Sequence, residues 1–332
     1  MKKILKPFSL LLSMLLLLQA GVFAQDDDDK DKDKDKKYEF VKTKTVNKSY
    51  NVSSNDKLNI DNSFGRVEVR TWDRNEIKVD VTVEVSSNKE DLAQKILDGI
   101  SITDGQSGKE ISFKTKMKNN NNSRGEKSTM KVNYSISMPA SNPLDISNEF
   151  GATVIPDYRG EVDLTSKFGS LTAGNLSNVK RIDVEFGKAK IEGINNGNVS
   201  IKYSSSTLGK LSGNIRLNVE FSSTIKMNLD NSLTGLDIKA SYSTVNLKPD
   251  AGLGASYNIS TSFGDLKNRT SIKFDGGDED GDKGPKFDHN YTGKSGNGSV
   301  PIKVSTSFGS VILGEPGPDD IKNKNKNKNK PI

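Results

Sequence analysis

The sequence predicts an all-β protein: a parallel β-solenoid, right-handed by the usual crossover preference, behind an N-terminal strand cap that carries one α-helix. Three observations predict it. First, an aromatic residue followed by Gly or Ser recurs at Phe150, Phe168, Phe186, Tyr203, Phe221, Tyr242 and Phe263, at intervals of 18, 18, 17, 18, 21 and 21 residues. Phe308 follows after 45 residues, and Phe64 is an earlier copy. Second, the residue four before each aromatic is always aliphatic: Ile60, Ile146, Leu164, Ile182, Val199, Leu217, Ile238, Ile259 and Val304. Third, the residue directly before it reads Glu149, Lys167, Glu185, Lys202 and Glu220 in five successive copies. A fixed period of this kind marks a stacked repeat. The alternating charges make sense if the copies are parallel neighbours about 4.8 Å apart, so that opposite charges sit side by side.

Residues 1–24 read as a secretory signal. Lys2, Lys3 and Lys6 precede a Leu-rich run from Phe8 to Ala20, and Val22-Phe23-Ala24 suits cleavage after Ala24; an uncleaved anchor is the alternative. No Cys follows the run, which closes the lipoprotein route, and no later stretch is apolar enough to span a membrane. Residues 25–40 form an Asp/Lys linker and residues 315–332 an Asn/Lys tail, both expected to be disordered. They read as solvated spacers, with contact between the cationic tail and an anionic envelope polymer as the sharper reading. Without the three signal lysines the net charge falls from +6 to +3, too little and too dispersed to argue for specific nucleic acid binding.

Residues 41–140 lack the aromatic beat except at Phe64. Alternation predicts strands over Val67–Thr71, Ile77–Val85, Glu110–Lys116 and Met130–Ser137, and a helix over Lys89–Ile100 with Leu92, Ala93, Ile96, Leu97 and Ile100 on one face. Ser87 or Asn88 is positioned to cap it. A stack of strands has open edges at its ends and needs a cap, and this segment supplies one. Trp72 reads as packing rather than a ligand platform. Asn119 to Gly125 reads as a polar loop.

Residues 141–314 form the repeat, with a Gly/Asp-rich insertion near 275–298. Even positions before each aromatic point inward and odd positions outward. The aromatic shares the even parity, which predicts a buried ladder; its rival is an exposed stripe stacking on sugars. Nine layers would measure roughly 40 Å.

These segments resemble the putative adhesin family of bacterial envelope proteins, in a Bacteroidetes-type exported form. The match runs from about Val41 to Gly314. It includes Asp61-Asn-Ser-Phe-Gly65, Val67-Glu-Val-Arg-Thr-Trp-Asp73, the strand at Ile77, the helix at Lys89, the strand ending Met138-Pro139, and Thr306-Ser-Phe-Gly309-Ser-Val-Ile-Leu313 after the Gly-rich approach Gly293 to Gly298. The resemblance implies an exported parallel β-solenoid and brings no catalytic residues.

No catalytic, cofactor or metal residues are assigned, and no cofactor is expected. His289 is the one histidine and would have to serve any Ser-His-Asp triad; it reads instead as a loop residue. Asp275, Asp278, Glu279, Asp280 and Asp282 could hold Ca²⁺ but match no EF-hand spacing, and read as an acidic loop. Asp145 and Asp163 share an outward column and could act as acid and base on a polysaccharide. The column continues Arg181, Asn198, Arg216, Asp237, Asn258 and Lys303, which is ordinary surface variety. The expectation is a non-enzymatic, adhesin-like or envelope-interaction module that binds a polymer, glycan or protein along its face, at the periplasm, cell surface or outside. The alternative is a periplasmic structural or envelope-stress component; a polysaccharide-active enzyme comes last.

Overall fold

The computed structural model describes residues 38–118, 127–277 and 287–317. The signal segment, the Asp26–Lys37 tract, the Asn119–Gly125 loop, the Asn/Lys tail from residue 318 onward, and Asp278, Glu279, Asp280 and Asp282 lie outside the described residues.

The described residues are all-β with one helix. In the first third, β1 (Phe40–Asn51), β2 (Lys57–Ser63), β3 (Val67–Trp72) and β4 (Glu76–Ser87) precede α1 (Glu90–Gly99), and β5 (Ile100–Ser107), β6 (Glu110–Met117) and β7 (Ser128–Pro139) follow. Then come β8 (Leu144–Glu149), β9 (Ala152–Ile155), β10 (Tyr158–Lys167), β11 (Ser170–Glu185), β12 (Lys188–Lys202), β13 (Ser205–Glu220), β14 (Ile225–Ser241), β15 (Val245–Pro249) and β16 (Ala255–Ser262). The end holds β17 (Leu266–Asn268), β18 (Phe274–Gly276), β19 (Asp288–Lys294), β20 (Val300–Ser307) and β21 (Val311–Leu313).

The predicted strands are all present, each longer by one to four residues, and the predicted helix is present but one residue shorter at each end. The sequence reading missed β1, which alternates weakly, and β5, which begins directly where α1 ends. The helix begins at Glu90 with Lys89 as its N-cap and no side-chain cap; Ser87 Oγ instead accepts from the Lys89 amide at 3.2 Å. At the other end the Leu97 carbonyl accepts from the Ile100 amide and from Lys44 Nζ, the latter at 2.6 Å, and Lys44 Nζ also donates to the Ile100 carbonyl. In the cap, β1–β4–β7 pair antiparallel, and β7 continues in parallel onto β3.

From there the pairing is parallel and repeats. β2 lies on β8, β8 on β10, β10 on β11, β11 on β12, β12 on β13 and β13 on β14, each copy of the repeat on the next. Phe64 therefore belongs to the first rung of the stack. The aliphatic column is buried throughout, and so is the column two before each aromatic, from Asn62 and Asn148 through Val184, Ile201 and Val219 to Thr306. Of the polar members of that column, Asn62, Asn148, Thr261 and Thr306 carry their own partners, whereas the buried Ser166 hydroxyl has none. Asn62 Nδ2 donates to Asn148 Oδ1 at 3.1 Å and Asn62 Oδ1 accepts from Thr115 Oγ1 at 2.9 Å, which fixes the register where cap meets repeat. The charge column works as expected, with Lys167–Glu185 at 3.6 Å and Lys202–Glu220 at 3.2 Å.

The buried aromatic ladder is corrected. The rings from Phe150 to Phe308 are 45–52% exposed, and the φ of each of these residues is positive, from 48° to 56°. The in-out alternation holds along each strand but stops at a left-handed residue, where the chain turns a corner and the Cβ swings outward. The rings still form a ladder. Phe168 and Phe186 lie 5.0 Å apart and 3° from parallel, and Phe186 and Tyr203 lie 4.8 Å apart. Each aromatic amide stays in the sheet, as Phe168 N does on the Glu185 carbonyl at 3.0 Å. With both faces covered, an internal ring offers only its edge, so the rival reading of sugar-stacking platforms is unsupported too.

This geometry changes the expected cost of truncation. Phe186→Ala loses two stacking contacts and part of a half-exposed ring, about 1–3 kcal/mol, less than for a buried Phe. Phe186→Gly should be no less stable than Phe186→Ala although it is smaller, because only Gly adopts the left-handed corner without penalty. Urea midpoints of the two variants test this, and a clearly weaker Gly variant contradicts it.

The stacking order at the far end also differs from sequence order. β20 lies between β14 and β16, and β21 between β15 and β17. Phe308 accordingly stacks between Tyr242 and Phe263. The insertion is not a bare loop: β18 and β19 form an antiparallel pair, and β19 covers the open edge of β16.

Candidate functional site

The aromatic ridge divides two outward faces. The first is built by the strand segments that lead into each aromatic, the second by those that leave it.

On the first face the sequence-derived carboxylates are neighbours, Asp145 opposite Asp163 on β8 and β10. Neither is left as a solitary acid. Asp145 Oδ2 takes Lys57 Nζ at 2.8 Å; Asp163, almost buried, takes Arg181 Nε at 2.9 Å and Lys180 Nζ at 3.3 Å. The hydrogen bond and the charge of Asp163 raise the affinity of Arg181 for its proton. A carboxyl group locked against a guanidinium is poorly placed to shuttle protons to a sugar. Further along, a depression of about 570 Å³ is lined by Arg181, Asp183, Lys202, Arg216, Asp237 and Lys239 among others, mixed in sign. Burial pushes the Asp183 carboxyl above the usual carboxylate range, the nearby Arg181 charge opposing it.

The second face has a different composition. A shallow trough of about 430 Å³ runs across β11, β12, β13 and the start of β14. Leu171 and Ala189 form its floor; Lys188, Lys190 and Lys226 stand on its walls among Ser170, Thr172, Ser205, Thr207, Ser223 and Thr224. This face was not singled out from the sequence. Its signal was there in part, in the residues two and four after Phe168, Phe186 and Tyr203, whereas Lys226 falls five after Phe221.

The remaining candidates do not converge on either face. His289 lies on β19 opposite Thr261, with Tyr291 6.2 Å away centre to centre. Asp275 lies on β18. Trp72 is half-buried, its Nε1 donating to the Glu76 carbonyl at 2.8 Å and Arg74 resting 5.1 Å over the ring, which agrees with a packing role. Among the described residues no three His, Asp or Glu side chains cluster as metal ligands, and no helix is long and apolar enough to cross a membrane.

No protein-family model matches the chain, and no curated protein matches it in sequence. Among solved structures it is similar to a putative adhesin from Bacteroides fragilis, 11% identical over 81% of this chain and 97% of that one, with a TM-score of 0.35. It is also similar to a putative cell adhesion protein from Clostridium sporogenes (13% identical, 83% of this chain, 100% of that one, TM-score 0.27). A putative lipid binding protein from Parabacteroides distasonis is a third (11% identical, 82% and 97% covered, TM-score 0.35). No residue role passes to this chain from any of them.

Proposed function

We propose that the chain is an exported, non-enzymatic β-solenoid that binds an extended partner, a polymer or a protein, along a lateral face in the manner of an adhesin. The division into a leader (1–24), an Asp/Lys linker (25–40), a cap (41–140), a binding repeat (141–314) and an Asn/Lys tail (315–332) is part of the same reading.

The observation that carries it is register. Outward side chains of successive copies sit directly opposite one another, as in Lys190, Thr207 and Lys226. A surface that repeats at strand spacing, about 4.8 Å, presents many similar weak contacts and suits a repetitive ligand. Asp145 and Asp163, the best acid-base pair, are held in ion pairs, which supports binding without cleavage.

The test is retention of the exported chain on immobilised envelope polysaccharides and cell-surface proteins, with the eluate assayed for released sugar. Saturable retention without released fragments is expected. Fragment release would make the protein an enzyme, and no retention on any surface would remove the binding reading. Protease treatment of intact cells, with a periplasmic protein as control, separates a surface location from the periplasmic alternative.

A further inference from the structure

We infer that the aromatic ridge is the interface of a two-fold homodimer, in which two copies of this chain lie antiparallel, ridge against ridge. The ridge is distinct from the lateral faces that carry the binding reading above.

Exposed apolar area points to a partner. The exposed rings run in order from Phe150 to Tyr242 and continue through Phe308 and Phe263 to Phe287, nine in an unbroken row. Each half-exposed ring leaves roughly 100 Å² of apolar surface open, so the row presents about 900 Å². The largest apolar patch on an ordinary monomer is about 300–600 Å², and a stable interface takes about 800 Å² from each partner. The ridge exceeds the first figure and meets the second. On one side of it the residue after each ring is Gly or Ser, as at Gly151, Gly169 and Ser204, so no bulky side chain there holds a second ridge away.

Charge selects the partner and its direction. On the other side of the ridge Glu149, Lys167, Glu185, Lys202 and Glu220 stand half-buried, one per rung. Their alternation is complementary to itself when reversed. A two-fold axis crossing the ridge midway between Phe186 and Tyr203 sets Glu185 against the partner's Lys202, and Lys167 against the partner's Glu220. Across the ridge Lys188 then meets the partner's Ser205 instead of its own copy. An axis through Phe186 would instead set Lys167 against the partner's Lys202. Parallel stacks would turn the charge column toward the partner's Gly/Ser side and leave it unmatched. The antiparallel interface is isologous and closes at two copies. It sets the two first faces on one side and the two second faces on the other, and leaves both open. A membrane fits the ridge less well, because Glu149, Glu185 and Glu220 stand one residue from their rings and an anionic lipid surface repels them.

Sedimentation equilibrium of the exported chain should show a dimer at micromolar concentration. K202E sets like charges together at both symmetry-related contacts and should weaken the dimer by about fivefold or more. E185K/K202E restores opposite signs across the axis and should recover most of that loss. Within one chain both variants create the same like-charge neighbours in number, so a purely internal role predicts equal effects. Geometry is read by cross-linking, since the chain has no cysteine of its own. A mixture of E149C and S241C chains should form a covalent dimer on oxidation. Neither should do so alone, because each added thiol then lies about 24 Å along the stack from its copy. A monomer at every concentration, equal weakening by the two charge variants, or cross-linking by E149C alone would overturn the proposal. A monomer that floats with phosphatidylcholine–phosphatidylglycerol vesicles would overturn it and assign the ridge to a membrane.

Discussion

A chain ending at Gly298 should lose the far end of the molecule, not merely its last two strands. β16 pairs with β20 and β19, and β17 with β21, so the segment 255–294 reaches β14 and β15 only through residues 300–313. The truncation removes six buried aliphatic side chains, Val300, Ile302, Val304, Val311, Ile312 and Leu313. At about 1.5–3 kcal/mol each, the loss is on the order of 10 kcal/mol, comparable with the whole stability of an ordinary domain. It also bares β14, a 17-residue strand whose open edge invites pairing with another copy. Hydrogen exchange should show 255–294 unprotected while 144–220 stays protected, and light scattering should show association. Retained protection of 255–294 in a monomer would mean that β16 docks directly on β14, and the wedge role of β20 would be wrong. Val304→Asp, which buries a charge at the same place, should act in the same direction through a full-length chain.

Gly169→Ala should destabilise the protein by about 3 kcal/mol or more, a large effect for a single methyl group. A Cβ there would stand 1.9 Å from the Gly151 carbonyl oxygen and 2.9 Å from the same residue's backbone carbon and nitrogen. The obstacle is backbone, and it is pinned: that carbonyl accepts the Ser170 amide at 3.2 Å. The same clash repeats down the stack, Gly151 on the Gly65 oxygen at 1.8 Å and Gly187 on the Gly169 oxygen at 2.2 Å. Relief in one rung would have to come from its neighbours. Ser204→Ala, at the equivalent corner of another rung, should cost only about 1 kcal/mol. Ser204 Oγ accepts the Gly187 amide at 3.0 Å and donates to the Lys202 carbonyl at 2.6 Å, so that change removes hydrogen bonds without adding an atom. Chemical denaturation of the two variants tests the contrast, and a Gly169→Ala protein as stable as the parent would show that the corner can open.

The candidate binding face shows how far local pattern reaches. Lys188, Lys190 and Lys226 are unremarked in a linear reading because Lys226 stands 36 and 38 residues from the other two and no motif joins them. Pairing of β12, β13 and β14 puts Lys190, Thr207 and Lys226 in one row, and the row gives the trough its charge. Asp145 and Asp163 were visible as a pair through the period, yet their ion partners were only partly so. Arg181 follows in the column, whereas Lys57 comes from the first rung and Lys180 from the adjacent position of the fourth.

By itself the sequence determined the strands that lead into each aromatic and four strands of the first third, that the copies stack, and that the aliphatic column faces inward. Those properties follow from side-chain parity and a fixed period, both of which are local or repeated many times. Tertiary structure decided two things. The aromatic column faces outward because a left-handed corner at residues such as Phe186 breaks the parity that the strand sets up, and the backbone angle at one residue is not written in its side chain. The last copy is threaded between its predecessors because β20 can satisfy the edges of both β14 and β16. Hydrogen-bonded edges are alike in every rung, so the period alone cannot say which pair of edges the final strand will close.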